Sequence, residues 1–331
     1  MSTVAVMGSG SWGTAMALTL CDNDHRVTIR ARRAEVCAMI NTEHRNPDYF
    51  ADLVLPDRLR AVQDPEEAMR DAEFVVIAVP SQSLRETLSD WKIPEQAVVV
   101  SLAKGVELGT GLRMSQVIME VTGVGPDRIA VLTGPNLSHE IAQRQPAAAV
   151  VASTREQTAV AVQRLFHTAT FRPYTNADVI GCELGGATKN VIALAVGMAT
   201  GMGYGANATA SLITRGLAEI IRLGEAMGAD PHTFSGLAGL GDLVATCSSA
   251  LSRNRTFGEE LGKGRTVAEI AGSTRQVAEG VKSCFSIKAL AHQFDVEMPI
   301  TDLVCAVIDG SITPLDAVQT LLARAPKPER R

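Results

Sequence analysis

The sequence predicts two domains: an N-terminal, Rossmann-like α/β domain with a doubly wound parallel sheet, followed by an all-α C-terminal domain. The first part of the chain alternates short apolar runs with helical segments, which is typical of a parallel sheet covered by helices. Strand signals end near Asp178, and helical segments continue to about Arg324. The length of 331 residues also fits about two domains of roughly 150 residues. We therefore expect a sheet domain over residues 1–180, a helical domain over 181–324 and a disordered tail over 325–331.

Strands are predicted where short apolar, β-branched runs are bounded by glycine, proline or polar residues. The runs that meet this description are Thr3–Met7, Arg26–Arg30, 73–79, 97–101, Ile129–Thr133, Ala147–Ala152 and 171–174. A helix rich in alanine and leucine is predicted between the first two strands, over 9–21. In the second domain the clearest predicted helices are 187–200, 209–227, 277–294 and 314–323.

The composition argues against several kinds of partner and site. With a formal net charge of −5, nucleic acid is not an expected partner. The six cysteines are scattered without a C-x-x-C pair, so we expect reduced thiols and no metal site. The N-terminus lacks a secretory signal pattern, and the longest apolar stretch, near 191–199, is too short to span a bilayer. We therefore expect a cytoplasmic protein without a membrane span.

A glycine-rich loop follows the first predicted strand. Gly8, Gly10 and Gly13 fit the pattern G-x-G-x-x-G, and the loop opens a predicted helix, which is the context of a dinucleotide-binding turn. Gly8 permits the tight turn, Gly10 lets the backbone approach a pyrophosphate, and Gly13 lets the helix pack on the strand. The free N–H groups at the helix start would then bind the phosphates. The alternative is a plain strand–helix turn.

The residues after the second strand indicate which dinucleotide binds. An acidic side chain there accepts from the ribose 2′-OH of NAD, whereas an arginine accommodates the 2′-phosphate of NADP. The strand ends in Arg30, followed by Arg32 and Arg33, with no acid directly at its end, and Glu35 is expected in the next helix. The sequence therefore favours NADP(H), with NAD(H) left open, and the alternative is a solvated basic patch.

Polar groups in the second half interrupt apolar or glycine-rich segments. Lys189 lies in a helix that is small or apolar nearly all round, where desolvation lowers the pKa of a lysine and allows proton transfer. Asp242 supplies a carboxylate, and the cluster at 252–255 has the hydroxyl, guanidinium and amide groups that suit a phosphate. The alternatives are a snorkelling Lys189, an N-capping Asp242 and a solvated arginine turn.

Six ordered segments of the chain resemble motifs of one enzyme family. They are GSGSWGTA (8–15), KGVE (104–107), GPNLSHE (134–140), GGATKN (185–190), GLGDLVATC (239–247) and LSRNRTFG (251–258). With these motifs the chain resembles the bacterial NAD(P)-dependent glycerol-3-phosphate dehydrogenases from one end to the other. The resemblance implies NAD(P)H-dependent, reversible reduction of dihydroxyacetone phosphate to sn-glycerol 3-phosphate, supplying glycerophospholipid synthesis.

The resemblance also implies roles for individual residues, and Lys189 matches the catalytic lysine of the family. The implied substrate-binding residues are Lys104, Gly134, Asn136, Lys189, Asp242, Ser252, Arg253 and Asn254. The implied cofactor-binding residues are Gly8, Gly10, Ser11, Trp12, Gly13, Arg32, Arg33, Lys104, Ser138, Arg253, Val277 and Glu279. The chain departs from the family pattern at 136–138, where Asn-Leu-Ser stands in place of a small hydroxyl residue, Phe and Ala.

The residues alone leave two other functions open. A related β-hydroxyacid-type dehydrogenase would act on a carboxylate substrate, since arginine also binds carboxylates. A non-catalytic NADP(H)-binding redox sensor would leave Lys104 and Lys189 idle. The expected partner is a small phosphorylated molecule, and the helical domain would be able to support a homodimer.

Overall fold

The computed structural model describes residues 1–273, 279–326 and 328, and its first part is built on an eight-stranded sheet. The strands are β1 (Thr3–Met7), β2 (Arg26–Arg30), β3 (Arg60–Val62), β4 (Phe74–Ile77), β5 (Val98–Ser101), β6 (Ile129–Thr133), β7 (Ala147–Ala152) and β8 (Phe171–Asn176). The helices of this part are α1 (Ser11–Asp22), α2 (Ala34–Thr42), α3 (Pro65–Met69), α4 (Leu84–Ser89), α5 (Met114–Thr122), α6 (Ser138–Ala142) and α7 (Glu156–Phe166). The predicted fold class is confirmed.

The sheet has the strand order β3-β2-β1-β4-β5-β6-β7-β8, so its winding reverses between β1 and β4. In doubly wound sheets a ligand crevice opens at this switch point, outside the carboxyl ends of the strands. The predicted parallel sheet has one exception in the structure, because β6 and β7 run antiparallel. An apolar run carries no information about strand direction. The edge strand β3 was not predicted, since three residues are too few to show a pattern.

Alternate residues of the central strands pack into two different cores. Val4 and Val6 of β1 join a cluster that includes residues of α1, α2 and α7. Ala5 and Met7 join a second cluster, on the side of α4 and α5. Helices therefore cover both faces of the sheet, which explains why central strands such as β1 are apolar along their length rather than alternating.

The second part of the described chain is built from helices around a central one. They are α8 (Val179–Gly201), α9 (Ala206–Ala226), α10 (Asp242–Ser248), α11 (Arg253–Gly262), α12 (Val267–Ser273), α13 (Glu279–Gln293), α14 (Pro299–Ile308) and α15 (Pro314–Leu322). Helix α8 packs against α9, α10, α11 and α13. Of these neighbours, α10 carries Asp242 and α11 carries Arg253, so both segments noted in the sequence pack against the helix that contains Lys189.

Helix α8 is much longer than the apolar stretch noted in the sequence. The helix has 23 residues and, by length and composition alone, is long and apolar enough to cross a membrane. The expectation that the chain has no apolar segment of membrane-spanning length is therefore wrong. Glycine, alanine and threonine residues on either side of 191–199 extend the helix without forming an obvious apolar run. Within the structure, 83% of its most apolar window is buried, as in the core helix of a folded domain.

The backbones of α8 and α11 approach each other closely at glycines. A Cβ at Gly197 would lie 2.1 Å from the carbonyl O of Arg255, and one at Gly258 would lie 2.2 Å from the carbonyl O of Leu194. A side chain at either position would force the helices apart, because the obstructing atoms belong to the backbone. Glycine therefore sets the separation of these two helices.

A buried ion pair joins the sheet to the helical part. The carboxylate of Glu183, on α8, accepts from the backbone N of Ser115 at 2.8 Å and from its hydroxyl at 2.6 Å. Arg113, immediately before α5, donates to the same carboxylate. Removing either charge would leave the other buried and unpaired, so these contacts fix α8 against the start of α5.

Glu219, on α9, makes the stability of the fold depend on pH. Its carboxylate accepts from the backbone N of Ile300 at 2.7 Å, and burial raises its pKa to about 7, against the opposing hydrogen bonds and the charge of Arg222. At pH values between 4.5 and about 7, the carboxyl group of Glu219 is protonated in the folded chain and ionised in the unfolded chain. Its contribution to stability is therefore full below about pH 4.5 and is lost as the pH rises through 7. We expect Glu219→Gln to reduce the fall in unfolding free energy between about pH 5.5 and 7.5 by about 1–2 kcal/mol.

Denaturant unfolding of both proteins at the two pH values measures this difference. Glu225→Gln is the matched control, because Glu225 is an exposed residue of the same helix. If the wild type and Glu219→Gln lose the same free energy over this pH range, the carboxylate of Glu219 is not the titrating group.

Candidate active site

Residues that follow several strands meet at the carboxyl edge of the sheet. Gly8 follows β1, Lys104 comes three residues after β5, and Gly134 follows β6. Because β1, β5 and β6 belong to the parallel part of the sheet, their carboxyl ends lie on the same edge. The predicted cofactor and substrate segments of the first part are therefore on one side of the molecule.

The glycine loop between β1 and α1 has the shape of a phosphate cradle. Gly8 has φ of +137°, and a Cβ there would lie 2.4 Å from the carbonyl O of Ala78, just after β4. A Cβ at Gly13 would lie 2.0 Å from the carbonyl O of Gly8, whereas a Cβ at Gly10 would meet nothing within 4 Å. The first turn of α1 has no side-chain cap and no acidic residue. Its N–H groups and open approach fit the pyrophosphate of a dinucleotide.

Two neighbours of the glycine loop add polar groups to the cradle. The hydroxyl oxygens of Ser11 and Ser138 lie 2.6 Å apart, which joins the start of α1 to the start of α6. The indole N–H of Trp12 is buried and has no hydrogen-bond partner among the described residues. Buried donors are normally paired, so this group is available to a ligand.

Asn46 supports the glycine loop, although the sequence reasoning missed it. Asn46 is fully buried, and its Nδ2 donates to the carbonyl O of Ser9 at 3.0 Å and to the hydroxyl O of Thr14 at 2.8 Å. Its Oδ1 accepts from the backbone N of Asp48 at 3.2 Å. These bonds tie the segment after α2 to the cradle. No sequence motif marks a contact of this kind, because 37 positions separate Asn46 from Ser9.

The three arginines after β2 have different surroundings. Arg30 is half-buried and Arg32 is exposed. Arg33 pairs with the carboxylates of Asp48 and Glu35, and Glu35 lies in the first turn of α2 as expected. Carboxylates therefore do lie close to the end of β2 in the folded structure, although none directly follows this strand in the sequence. Asp48 escaped notice because it follows Arg33 by 15 positions in the sequence.

Two lysines share one buried carboxylate where the sheet meets the helical part. The Nζ of Lys104 donates to Oδ2 of Asp242 at 2.6 Å and to the carbonyl O of Gly134 at 3.0 Å. The Nζ of Lys189 donates to Oδ1 of Asp242. The exposed fractions are 1% for the aspartate side chain, 14% for Lys104 and 10% for Lys189. The carboxylate therefore holds two ammonium groups side by side, nearly removed from water.

Burial lowers the pKa of Lys189 to about 8, from 10.5. The negative charge of Asp242 opposes this change, and the positive charge of Lys104 adds to it. A lysine with a pKa near neutrality carries a proton at pH 7 and releases it at small cost. This is the property required of a general acid in one direction of a reaction and a general base in the other.

Thr246 completes the surroundings of Lys189 and was given no role from the sequence. The Nζ of Lys189 donates to the Thr246 hydroxyl at 2.8 Å, and that hydroxyl donates to the carbonyl O of Asp242 at 2.7 Å. Asp242 and Thr246 lie four positions apart on α10, so both occupy the same helix face. This spacing of four residues is the sequence feature from which a role for Thr246 beside Asp242 could have been predicted.

The loop after β6 presents Gly134 and Asn136 near Lys104. Gly134 has φ of +123°, and its carbonyl O accepts from Lys104. Both polar atoms of the Asn136 amide are buried without a hydrogen-bond partner among the described residues. An amide in this condition is available to a ligand.

The predicted phosphate-binding cluster lies at the start of α11. Ser252 is the N-cap, and its hydroxyl oxygen accepts from the backbone N of Arg255 at 3.3 Å, a bond that does not use the hydroxyl proton. Arg253 is exposed in the first turn of α11. The Oδ1 of Asn254, a buried residue, accepts from the backbone N of Gly280 at 2.8 Å, so part of this amide joins α11 to α13.

Two predicted cofactor residues are not placed by the structure. Val277 lies outside the described residues, and Glu279 begins α13 with its side chain outside the description. Direct hydrogen bonds bring Lys104, Gly134, Lys189 and Asp242 together. In the sheet, β2 lies three strands away from β5, the strand that precedes Lys104. The arginines after β2 can therefore contact one end of an extended dinucleotide while Lys104 lies near its other end.

A phosphate cradle at the switch point of a doubly wound sheet, together with a buried lysine whose pKa is lowered to about 8, is the arrangement expected of a nicotinamide-dependent dehydrogenase. Comparison with known families identifies which one. Residues 3–159 match the N-terminal part, and residues 178–319 the C-terminal part, of NAD-dependent glycerol-3-phosphate dehydrogenase. The chain belongs to this family.

Individual relatives match over nearly the full length of the chain. Glycerol-3-phosphate dehydrogenase [NAD(P)+] of Streptomyces griseus is 59% identical over 99% of this chain and 98% of its own. Glycerol-3-phosphate dehydrogenase [NAD(P)+] 2 of Mycobacterium tuberculosis is 56% identical over the same shares. The crystal structure of glycerol-3-phosphate dehydrogenase from Coxiella burnetii superimposes with a TM-score of 0.92 at 36% identity, covering 98% of this chain and 99% of that one.

Proposed function

We propose that this chain catalyses the reversible reduction of dihydroxyacetone phosphate to sn-glycerol 3-phosphate, with NADPH or NADH, for glycerophospholipid synthesis. The observation that carries the proposal is the buried group formed by Lys104, Asp242 and Lys189. It lies at the carboxyl edge of the same sheet that forms the dinucleotide cradle. The names of the full-length relatives support the same activity.

Lys189 acts on the substrate oxygen in this proposal. The bound nicotinamide cofactor supplies the hydride for the ketone carbon. Negative charge then grows on the ketone oxygen, and Lys189 donates a proton to it, or accepts that proton in the reverse direction. Asp242 holds the ammonium groups of Lys189 and Lys104 in place, and their positive charge stabilises the oxygen before the proton moves.

The phosphate of the substrate is assigned to the start of α11. Arg253 is an exposed residue, and a guanidinium is the group that donates two parallel hydrogen bonds to phosphate oxygens; the Ser252 hydroxyl also has a proton to donate. The orphan amide of Asn136 would bind the substrate from the loop after β6. Binding energy from the unreactive phosphate would serve to hold the ketone near the lysine.

The remaining roles belong to the same proposal. The cofactor pyrophosphate would lie on Gly8, Gly10 and Gly13. The further contacts of the cofactor would come from Ser11, Trp12, Arg32, Arg33, Lys104, Ser138, Arg253, Val277 and Glu279. Residues 1–180 would form the NAD(P)-binding domain, residues 181–324 the helical substrate-binding and catalytic domain, and residues 325–331 a disordered tail. The enzyme would work in the cytoplasm, and the helical part would support a homodimer.

The first experiment is a substrate comparison with the purified chain. NADPH oxidation is followed by absorbance with dihydroxyacetone phosphate, with dihydroxyacetone, and with a 3-keto acid that lacks phosphate. We expect rapid oxidation with the first substrate only. Turnover of the keto acid would indicate a β-hydroxyacid-type dehydrogenase, and NADPH binding without turnover of any substrate would indicate a sensor.

Arg253→Lys tests the phosphate assignment. Lysine keeps the charge but cannot form the two parallel bonds of a guanidinium. We expect kcat/KM for dihydroxyacetone phosphate to fall about 10- to 100-fold, the equivalent of one lost charge-assisted hydrogen bond. The value for unphosphorylated dihydroxyacetone, which should already be low in the wild type, should change little. Steady-state kinetics at saturating NADPH measures both.

Two controls accompany this variant. NADPH affinity is measured separately, since Arg253 is also assigned to the cofactor. Arg172→Lys makes the same exchange at an exposed position of β8 and should leave both substrates unaffected. An equal loss for the phosphorylated and unphosphorylated substrates would remove Arg253 from the phosphate site.

A further inference from the structure

Arg33 and Asp48 form an ion pair that a ligand can reach. Their side chains are 53% and 38% exposed, so water and solutes have access to both. A second carboxylate, Glu35, lies with Oε1 3.3 Å from Nη1 of Arg33. Exposed ion pairs are worth about 1 kcal/mol or less, so a stronger anion can displace the carboxylate from this arginine.

The position of Asp48 is set by the glycine loop rather than by Arg33. Its backbone N donates to the fully buried Asn46, whose amide donates in turn to Ser9 and Thr14. Asp48 is therefore fixed relative to the cradle. Arg33 reaches Asp48 with a long side chain that has many rotamers, so it is the partner that can change position.

We propose that Asp48 sets the balance between NADP(H) and NAD(H) by competing with the 2′-phosphate for Arg33. The proposal rests on the proposed function, in which Arg33 meets that phosphate. In this fold a dinucleotide on the cradle places its adenosine ribose at the end of the second strand. An NADP 2′-phosphate takes Arg33 from Asp48 and is repelled by the carboxylate that remains. With NAD, the ion pair stays intact and the carboxylate can accept from the ribose 2′-OH.

The test is the affinity of the full chain for each cofactor, with Asp48→Asn as the variant. Titrations of NADPH and NADH, followed by intrinsic tryptophan and cofactor fluorescence, give the two Kd values without turnover. We expect the ratio of the NADH Kd to the NADPH Kd to rise about three- to fivefold, the size of a lost exposed ion pair. The change should shrink in high salt, because exposed charges are screened.

Asp57→Asn is the matched control. Asp57 is an exposed carboxylate of the same segment, 3.6 Å from His44, and its loss changes the net charge by the same amount. It should leave the Kd ratio unchanged. If Asp48→Asn changes the ratio no more than Asp57→Asn does, the proposal is overturned.

Arg33→Gln separates this proposal from the cofactor assignment beneath it. If Arg33→Gln leaves the Kd ratio unchanged, the assignment of Arg33 to the 2′-phosphate fails. If Arg33→Gln weakens NADPH selectively but Asp48→Asn has no effect, only the role of Asp48 fails. In the double variant, Asp48→Asn should lose the part of its effect that comes from competition for Arg33, and only the direct effects of the carboxylate on the ribose 2′-OH and the 2′-phosphate should remain.

Discussion

Replacing Lys189 with methionine is expected to lower turnover of dihydroxyacetone phosphate by about 10²- to 10⁴-fold, the usual contribution of a positioned general acid. Methionine fills nearly the same volume without a proton to donate. Asp242 keeps Lys104 as a partner, so the carboxylate is not left unpaired. The Kd for NADPH should change little, because the cradle is formed by β1 and α1.

Stopped-flow measurement of a single turnover isolates the chemical step, and circular dichroism verifies the fold. Lys288→Met is the control, because the ammonium of Lys288 lies 4.0 Å from a carboxylate oxygen of Asp302 in a partly exposed pair. Near-normal turnover by Lys189→Met would assign this lysine a structural role and reject the mechanism.

Asp242→Asn should produce a loss of comparable size with a different pH signature. The carboxylate is the negative charge that keeps the Lys189 pKa from falling further under burial and the charge of Lys104. Without it, the pKa of Lys189 falls below about 8 and its proton is lost at lower pH. We expect ketone reduction to fall by about 10²-fold or more near pH 8. The alkaline limb of the kcat profile should move toward lower pH.

The profile of kcat against pH, measured in the direction of ketone reduction, tests this shift. Asp302→Asn is the control, since its carboxylate is 46% exposed and faces Lys288. A reduced kcat whose pH profile keeps the wild-type midpoint would mean that Asp242 positions the substrate without setting the charge of Lys189.

The fold was predictable from sequence where a single local pattern decides the structure. Buried parallel strands such as Ile129–Thr133 are continuous apolar runs, and the structure reproduces that range. The direction of β7 was not predictable, because it depends on how the chain between β6 and β7 returns to the sheet, which an apolar run does not encode. The extent of α8 was also hidden, since its glycines and threonines become buried only when other helices pack on them.

Site residues divide in the same way. Motif spacing pointed to Lys104, Lys189 and Asp242, and the structure joins them by hydrogen bonds. Asn46 and Asp48 escaped sequence reasoning because their partners are distant in the chain and their contacts exist only in the folded state. The sequence shows the arginine cluster after β2, but it does not show that the carboxylate of Asp48 pairs with Arg33 in the folded chain.

In the proposed function, the backbone contact between α8 and α11 acts as a ruler for the substrate. Lys189 lies on α8 about two turns before Gly197, and Arg253 begins α11 in the turns before Gly258. Main-chain atoms in van der Waals contact yield little, so the separation between the backbones that carry Lys189 and Arg253 is set by the helices themselves. In dihydroxyacetone phosphate one carbon separates the ketone from the phosphate ester, so only one separation between Lys189 and Arg253 suits this substrate. A longer sugar phosphate bound at Arg253 would place its carbonyl beyond Lys189. Selection by chain length would then need no wall of bulky side chains.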